Sequence, residues 1–163
     1  MNLIVHLILL PFFFLSFFLW TVIHEFSHLI AAKLVTDVND YEVDLVPKLR
    51  GRFVSLGRID IDFYEYPSEK GTILILLAPR IPDLIASVML PLMVFLPFPW
   101  GLVFSVFWIG GILDLLNGSM GIHPKSDLRL ATKDEPKARL VLSLLGFSIG
   151  IASVLIWFYL ISL

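Results

Sequence analysis

Residues 24–28 read His-Glu-Phe-Ser-His, a set of residue types that can hold a metal ion and activate a water molecule. On a helix, side chains four positions apart lie on the same face, so the imidazoles of His24 and His28 can converge on one Zn²⁺ ion. Glu25 then reaches the metal-bound water, whose pKa the metal lowers, and takes its proton. The pattern predicts His24 and His28 as metal ligands and Glu25 as the catalytic base.

A catalytic zinc site needs a third protein ligand and leaves one position open for water. The chain has no cysteine, so this ligand must be a histidine or a carboxylate. His6 belongs to the far half of the first apolar segment, which leaves His123 as the candidate histidine. The candidate carboxylates are Asp114, inside the third apolar segment, and Asp127, in the loop beyond it. The residue types alone leave these alternatives open.

The composition indicates where such a site must be built. The chain has 163 residues, of which 58% are hydrophobic and 16% charged, and its mean hydropathy is +0.89. Soluble globular domains do not have this composition. A net charge of −2 provides no basic surface for nucleic acid, and the absence of cysteine excludes disulfides and thiol nucleophiles. We expect a single membrane-embedded domain over residues 1–163. Its surroundings are the lipid bilayer, and we expect no nucleic acid among its partners.

The apolar segments are long enough to cross a bilayer as helices, which takes about 20 residues. The predicted membrane helices are 3–35, 71–97, 100–118 and 139–163. The reversal between the second and third helices falls at residues 97–101, Pro-Phe-Pro-Trp-Gly. Kinks are expected at Pro11, Pro82 and Pro91, because a proline removes a helical hydrogen bond. The predicted fold class is therefore membrane α-helical, with about four transmembrane helices.

The segment between the first two helices has a different pattern. Polar and apolar residues alternate in 41–46 and 57–63, and Gly51 and Gly57 interrupt the run. We expect a small antiparallel β segment over residues 41–66, with two or three short strands at the membrane surface. A free strand edge there could pair with an extended peptide.

The positive charges predict the orientation. Lysines and arginines concentrate in 33–70 and 119–139, whereas the opposite side of the predicted bundle has none. The positive-inside rule then places 36–70 and 119–139 in the cytoplasm, with both termini outside. We expect a multi-pass protein in the plasma membrane of a prokaryote, with its active site toward the cytoplasm.

The order of these parts resembles the site-2 protease type of intramembrane zinc metalloproteases and the smaller zincin-like membrane peptidases related to them. In that family the HExxH helix is followed by surface strands, a helix opening with an Ala-Gly-Pro-like motif, and a helix ending in Asn. A loop containing proline then leads to a ligand Asp. The corresponding features here are Ala78-Pro79, Asn117, Pro124 and Asp127, and their order covers nearly the whole chain.

The resemblance implies that Asp127 is the third zinc ligand and that Asn117 contacts the substrate or the developing oxyanion. The chain departs from the family in reading Ser-Asp-Leu at 126–128 where the family has Leu-Asp-Gly, and Asp114 stays the alternative ligand. A helix C-cap is the other interpretation of Asn117. Arg80 and Asp83, three positions apart, are expected to form a structural ion pair.

The predicted function is that of an intramembrane zinc metalloprotease that cleaves membrane-spanning substrate proteins near the cytoplasmic leaflet, with Zn²⁺ as cofactor. The alternative is a catalytically inactive relative that acts as a membrane scaffold or binding protein. Four histidines are too few for a di-iron lipid hydroxylase. A prenyl-protein protease, which uses a Glu as third ligand, fits less well because the suitable carboxylates here are Asp.

Overall fold

The computed structural model describes residues 3–45, 48–50, 53–55, 57–120, 126–133 and 135–163, with only the backbone for 3–9, 48–50 and 53–55. The side chain of His6 and the residues His123 and Pro124 lie outside this description. In chain order the elements are α1 Leu3–Val35, β1 Val38–Asp44, β2 Lys48–Arg50, β3 Phe53–Ser55, β4 Arg58–Phe63, α2 Glu69–Leu77, α3 Arg80–Leu92, α4 Trp100–Met120, α5 Asp127–Ala131 and α6 Pro136–Ile161. A 3₁₀ turn over Met93–Phe95 follows α3.

Four helical stretches of the described chain are long and apolar enough to cross a membrane. They are Leu10–Val35, Glu69–Phe95, Trp100–Met120 and Pro136–Ile161. The backbone of α1 is helical from Leu3, so each helical segment begins and ends within three residues of its predicted bounds. The helical fold class and the long apolar helices expected from the sequence are thus confirmed for this part of the chain.

Trp20 fixes how α1 packs on α4. Its side chain is buried, and the indole N–H donates a hydrogen bond to the backbone carbonyl of Phe107 at 2.6 Å. A Cβ atom on Gly111 of α4 would lie 2.7 Å from the indole ring and 2.6 Å from the Cβ of Ala86 on α3. Glycine therefore lets three helices approach closely at one point. Because His24 follows Trp20 by one helical turn, the same contact turns His24 toward α4.

Pro91 of α3 shows how the structure treats carbonyls that lose their helical partner. A proline has no N–H, so the carbonyl four residues earlier is left without its usual donor. For Pro91 this is the carbonyl of Ser87, which accepts a hydrogen bond from the Ser153 hydroxyl of α6 at 2.7 Å. The hydroxyl of a neighbouring helix thus replaces the missing backbone donor.

A second proline, Pro79, separates α2 from α3. Ala78 and Pro79 keep helical backbone angles, yet Pro79 cannot donate to the carbonyl of Ile75. The sequence predicted one helix over 71–97 with kinks at Pro82 and Pro91, and only the resemblance at Ala78-Pro79, where the family begins a helix, indicated a boundary here. Pro82 falls in the first turn of α3, where a proline is tolerated.

The strands form two antiparallel pairs, β1 with β4 and β2 with β3. In the β1–β4 pair the register runs from Asp44 opposite Arg58 to Val38 opposite Phe63, with an irregularity near Val38. Side chains of β4 alternate between exposed and half-buried positions, as the period-two pattern predicted. The expected two or three strands were wrong in number: the described part has four, and the first begins before residue 41.

The last two helices complete the packing. The short helix α5 buries Leu128 and Ala131. The helix α6 packs on α4 where a Cβ on Gly150 would lie 2.9 Å from the Leu116 side chain. α4 therefore contacts α1, α3 and α6 at once.

Replacement of Gly111 by alanine tests this arrangement. Alanine normally favours a helix by about 1 kcal/mol over glycine, so a local effect alone would stabilise the protein. We expect the opposite, a loss of about 1–3 kcal/mol, because the added methyl group overlaps Trp20 and Ala86. Thermal unfolding in detergent measures the change, with Ser148→Ala on an exposed position of α6 as control. A stabilised Gly111→Ala variant would contradict the close packing.

Candidate metal centre

Three side chains from α1 and α5 converge on one point: His24, His28 and Asp127. One potential ligand atom from each lies within 4.8 Å of the other two. The Oδ2 atom of Asp127 is 3.1 Å from Nε2 of His24 and 3.4 Å from Nε2 of His28. A tetrahedral zinc ion with bonds of about 2.0–2.1 Å holds its ligand atoms about 3.3 Å apart. These three groups therefore fit the ligand set of one zinc ion.

The remaining ring nitrogen of each histidine has its own partner. Nδ1 of His28 is 2.7 Å from the backbone carbonyl of Ile75, and Nδ1 of His24 is 2.7 Å from Oδ2 of Asp114. A carbonyl oxygen can only accept, so Nδ1 of His28 carries the proton. His24 has a carboxylate at each ring nitrogen, and the shorter contact, from Nδ1 to Asp114, favours the same tautomer. Both imidazoles are then free to bind a metal through Nε2, on the side of Asp127.

This geometry separates the two candidate carboxylates. Asp127 faces the Nε2 atoms of both histidines, whereas Asp114 engages the opposite nitrogen of His24 alone. Within the described residues, the group that could hold a metal contains Asp127 and does not contain Asp114. The third candidate, His123, lies outside those residues. The structure thus brings together the two histidines and the aspartate that the family resemblance selected.

Asp127 is the first residue of α5, outside the four long helices, and its charge suits a metal ligand. Burial raises the pKa of this carboxyl, but hydrogen bonds with the His24 and His28 rings, and attraction to these rings in their protonated form, lower it more. The net result is a pKa well below the usual range for aspartate. The carboxylate is therefore ionised at neutral pH, the form that binds metal ions.

Glu25 lies beside this group and against the start of β4. Its carboxylate interacts electrostatically with both histidines, and the backbone of Ile59 lies within hydrogen-bonding reach. A Cβ atom on Gly57, just before β4, would lie 3.0 Å from Cγ and 3.2 Å from Oε1 of Glu25. Glycine at this position therefore lets the strand approach the side chain predicted to be the catalytic base.

Asn117 is not joined to the metal-binding group by any hydrogen bond or ion pair among the described residues. It follows Asp114 by one turn, and its side chain is exposed. The C-cap interpretation was wrong, because α4 continues to Met120. Contact between Asn117 and a substrate stays a prediction.

The ion pair expected between Arg80 and Asp83 is confirmed, with Nη1 of Arg80 2.7 Å from Oδ2 of Asp83. Arg80 also donates to the backbone carbonyl of Asp114 at 3.3 Å, which the sequence analysis did not foresee. The hydrogen bond from His28 to the Ile75 carbonyl was not predicted either. Pro79 could have indicated it, because a proline leaves the carbonyl four residues earlier without its helical donor.

Comparison of the chain with models of protein families, with curated proteins and with solved structures finds no match. The interpretation of the site therefore depends on the side chains and distances described above.

Removal of the Asp127 carboxylate tests the ligand assignment. We expect the purified protein to bind about one zinc ion and Asp127→Ala to lose it, because two imidazoles alone leave the site incomplete. Elemental mass spectrometry after zinc loading and desalting measures the ratio. Glu135→Ala, which removes an exposed carboxylate eight residues along the chain, is the matched control. A full zinc complement in Asp127→Ala would show that this residue is not a ligand.

Proposed function

We propose that this chain is a multi-pass membrane zinc metallopeptidase that hydrolyses peptide bonds of membrane-spanning proteins. The observation that carries the proposal is the meeting of two Nε2 atoms with the Asp127 carboxylate, beside Glu25. The ionisable side chains of His24, Glu25 and His28 within the long apolar helix α1 are costly unless they are paired or bind an ion. A metal site accounts for these three side chains and for Asp127 together.

The four side chains would have different roles in the reaction. His24, His28 and Asp127 would hold the zinc ion, which when bound supplies a Lewis acid that polarises the scissile carbonyl and acidifies a water molecule. Glu25 takes the proton from the attacking water and returns it to the departing amine nitrogen. Zinc sites with three protein ligands keep the fourth position that this chemistry requires.

The position of β4 supports a peptide as the substrate. A helical segment hides its carbonyls in backbone hydrogen bonds, so a membrane-spanning substrate must unwind locally before hydrolysis. An unwound segment can pair with the edge of a strand, and the first residues of β4 lie against Glu25. We propose that the β1–β4 pair presents the substrate in this extended form.

The four long apolar helices and the distribution of lysine and arginine support the proposed location. Helices of this length and composition suit a bilayer about 30 Å thick. The positive-inside rule then places the strands and α5 in the cytoplasm. The site would lie where α1 meets the cytoplasmic leaflet of a prokaryotic plasma membrane, and its substrates would be single-pass proteins of that membrane.

A catalytically inactive scaffold or binding protein is the alternative function. The sequence Ser-Asp-Leu at 126–128, where the family has Leu-Asp-Gly, favours it. The two functions differ in one observable property, which is hydrolysis that depends on Glu25.

Substitution of Glu25 by glutamine distinguishes them. The amide keeps the size of the side chain but cannot take a proton, so we expect peptide hydrolysis to fall by at least about 100-fold while zinc is retained. The assay uses single-pass model proteins with basic cytoplasmic flanks, co-reconstituted with the enzyme in liposomes, and detects the new termini by mass spectrometry. Glu135→Gln is the control. Zinc-loaded wild type that cleaves no more than Glu25→Gln would support the scaffold.

A further inference from the structure

The break between α2 and α3 lies behind both histidines of the candidate metal centre. Ile75, on the α2 side of the break, contacts His28 through its carbonyl. Arg80, the first residue of α3, contacts the backbone of Asp114, whose side chain contacts His24. One interruption of the helix is therefore connected to both rings on the side away from the metal.

Pro79 creates the acceptor for His28. In an uninterrupted helix the N–H of residue 79 would donate to the Ile75 carbonyl, but proline has no N–H. The N–H of Ala78 reaches this carbonyl only at 3.4 Å, whereas Nδ1 of His28 is 2.7 Å away. The shorter contact shows that His28 is the main partner of the freed carbonyl.

Arg80 positions the acceptor for His24. Its guanidinium group is mostly buried, pairs with the almost fully buried carboxylate of Asp83, and donates to the Asp114 carbonyl. The guanidinium lies so close to Gly118 of α4 that any side chain at that position would overlap it. Arg80 thus ties α3 to the turn of α4 that carries Asp114, and Asp114 reaches Nδ1 of His24 at 2.7 Å.

We propose that the α2–α3 break is the positioning device of the metal centre, with the Ile75 carbonyl orienting His28 and Asp114, held by Arg80, orienting His24. The proposal rests on the proposed function in one respect, since it takes the two histidines as zinc ligands. Outer partners of this kind fix the tautomer and the direction of a ligating imidazole. Asp114, Pro79 and Arg80 are positioning residues that act through the histidines and touch neither metal nor substrate.

Zinc affinity, measured by competition with a chelator, tests the proposal on the loaded protein. We expect both Asp114→Ala and Pro79→Ala to bind about one zinc ion, but more weakly than wild type. The affinity should fall about 10- to 100-fold in Asp114→Ala and about 10-fold in Pro79→Ala. Asp114→Asn keeps an acceptor oxygen and is expected to lie closer to wild type than Asp114→Ala. Arg80→Gln should weaken binding in the same direction as Asp114→Ala, because it releases the turn that holds Asp114.

Pro91→Ala is the matched control for Pro79→Ala. It restores the same kind of backbone donor in the same helical span, but the carbonyl it reclaims bonds to Ser153 rather than to a histidine. We expect it to change the thermal stability without changing zinc affinity. If Pro79→Ala and Asp114→Ala both bind zinc as tightly as Pro91→Ala, the proposal is wrong. If Asp114→Ala binds no zinc at all, as expected for Asp127→Ala, Asp114 is a ligand and the proposal is also wrong.

Nitrogen-15 NMR of histidine-labelled, metal-free protein provides a readout that does not need zinc. We expect His28, in its neutral form, to carry its proton on Nδ1, because the Ile75 carbonyl can only accept. Pro79→Ala should change the His28 signal and Asp114→Ala the His24 signal, each without the other. Wild-type protein with this His28 tautomer but no zinc affinity would overturn the proposed function and leave the orientation intact. The opposite tautomer of His28 would overturn its positioning by the Ile75 carbonyl even if zinc binds.

Discussion

Polar groups within long apolar helices must find their partners inside the protein, and this constraint organises the structure. Lipid supplies no hydrogen bonds, so each freed carbonyl and each charge needs a neighbour in the chain. Two prolines in the second helical span leave carbonyls without a helical donor, and Ser153 and His28 donate hydrogen bonds to them. Arg80 pairs with Oδ2 of Asp83. The candidate metal centre is the part of this network where the Nε2 atoms of His24 and His28 meet Oδ2 of Asp127.

The close packing around α4 gives the network its geometry. Trp20 fits against Gly111, and this contact sets the rotation of α1 so that His24 reaches Asp114 one turn further along. The carboxylate of Asp127 comes from a separate short helix whose apolar residues are buried. The arrangement of the three candidate ligands therefore depends on contacts that lie outside the centre itself. A metal or catalytic site requires a rigid support of this kind to keep its groups in place.

The sequence predicted the long helices well, because each predicted segment holds at most two charged residues and has prolines or charges near its ends. It also predicted the pairing of His24 with His28, which follows from helical periodicity alone. The side chains from other helices that contact these two histidines were harder to predict. Nothing in the order of residues shows that Asp114 lies behind His24 while Asp127 lies in front of it, since that depends on how α4 and α5 pack on α1. The break at Pro79 fell inside the predicted helix 71–97, because the residues on both sides of the proline are apolar enough to form one membrane span. The family motif at Ala78-Pro79 was the sign that a helix begins there.

X-ray absorption spectroscopy at the zinc edge of the zinc-loaded wild-type protein tests the central claim most directly, because it counts the imidazoles bound to the metal. The ligand set of His24, His28 and Asp127 predicts two imidazole nitrogens and oxygen donors at about 2.0–2.1 Å. One imidazole, or three, would contradict it. Three would require a histidine other than His24 and His28, and one would mean that these two rings do not converge on the metal.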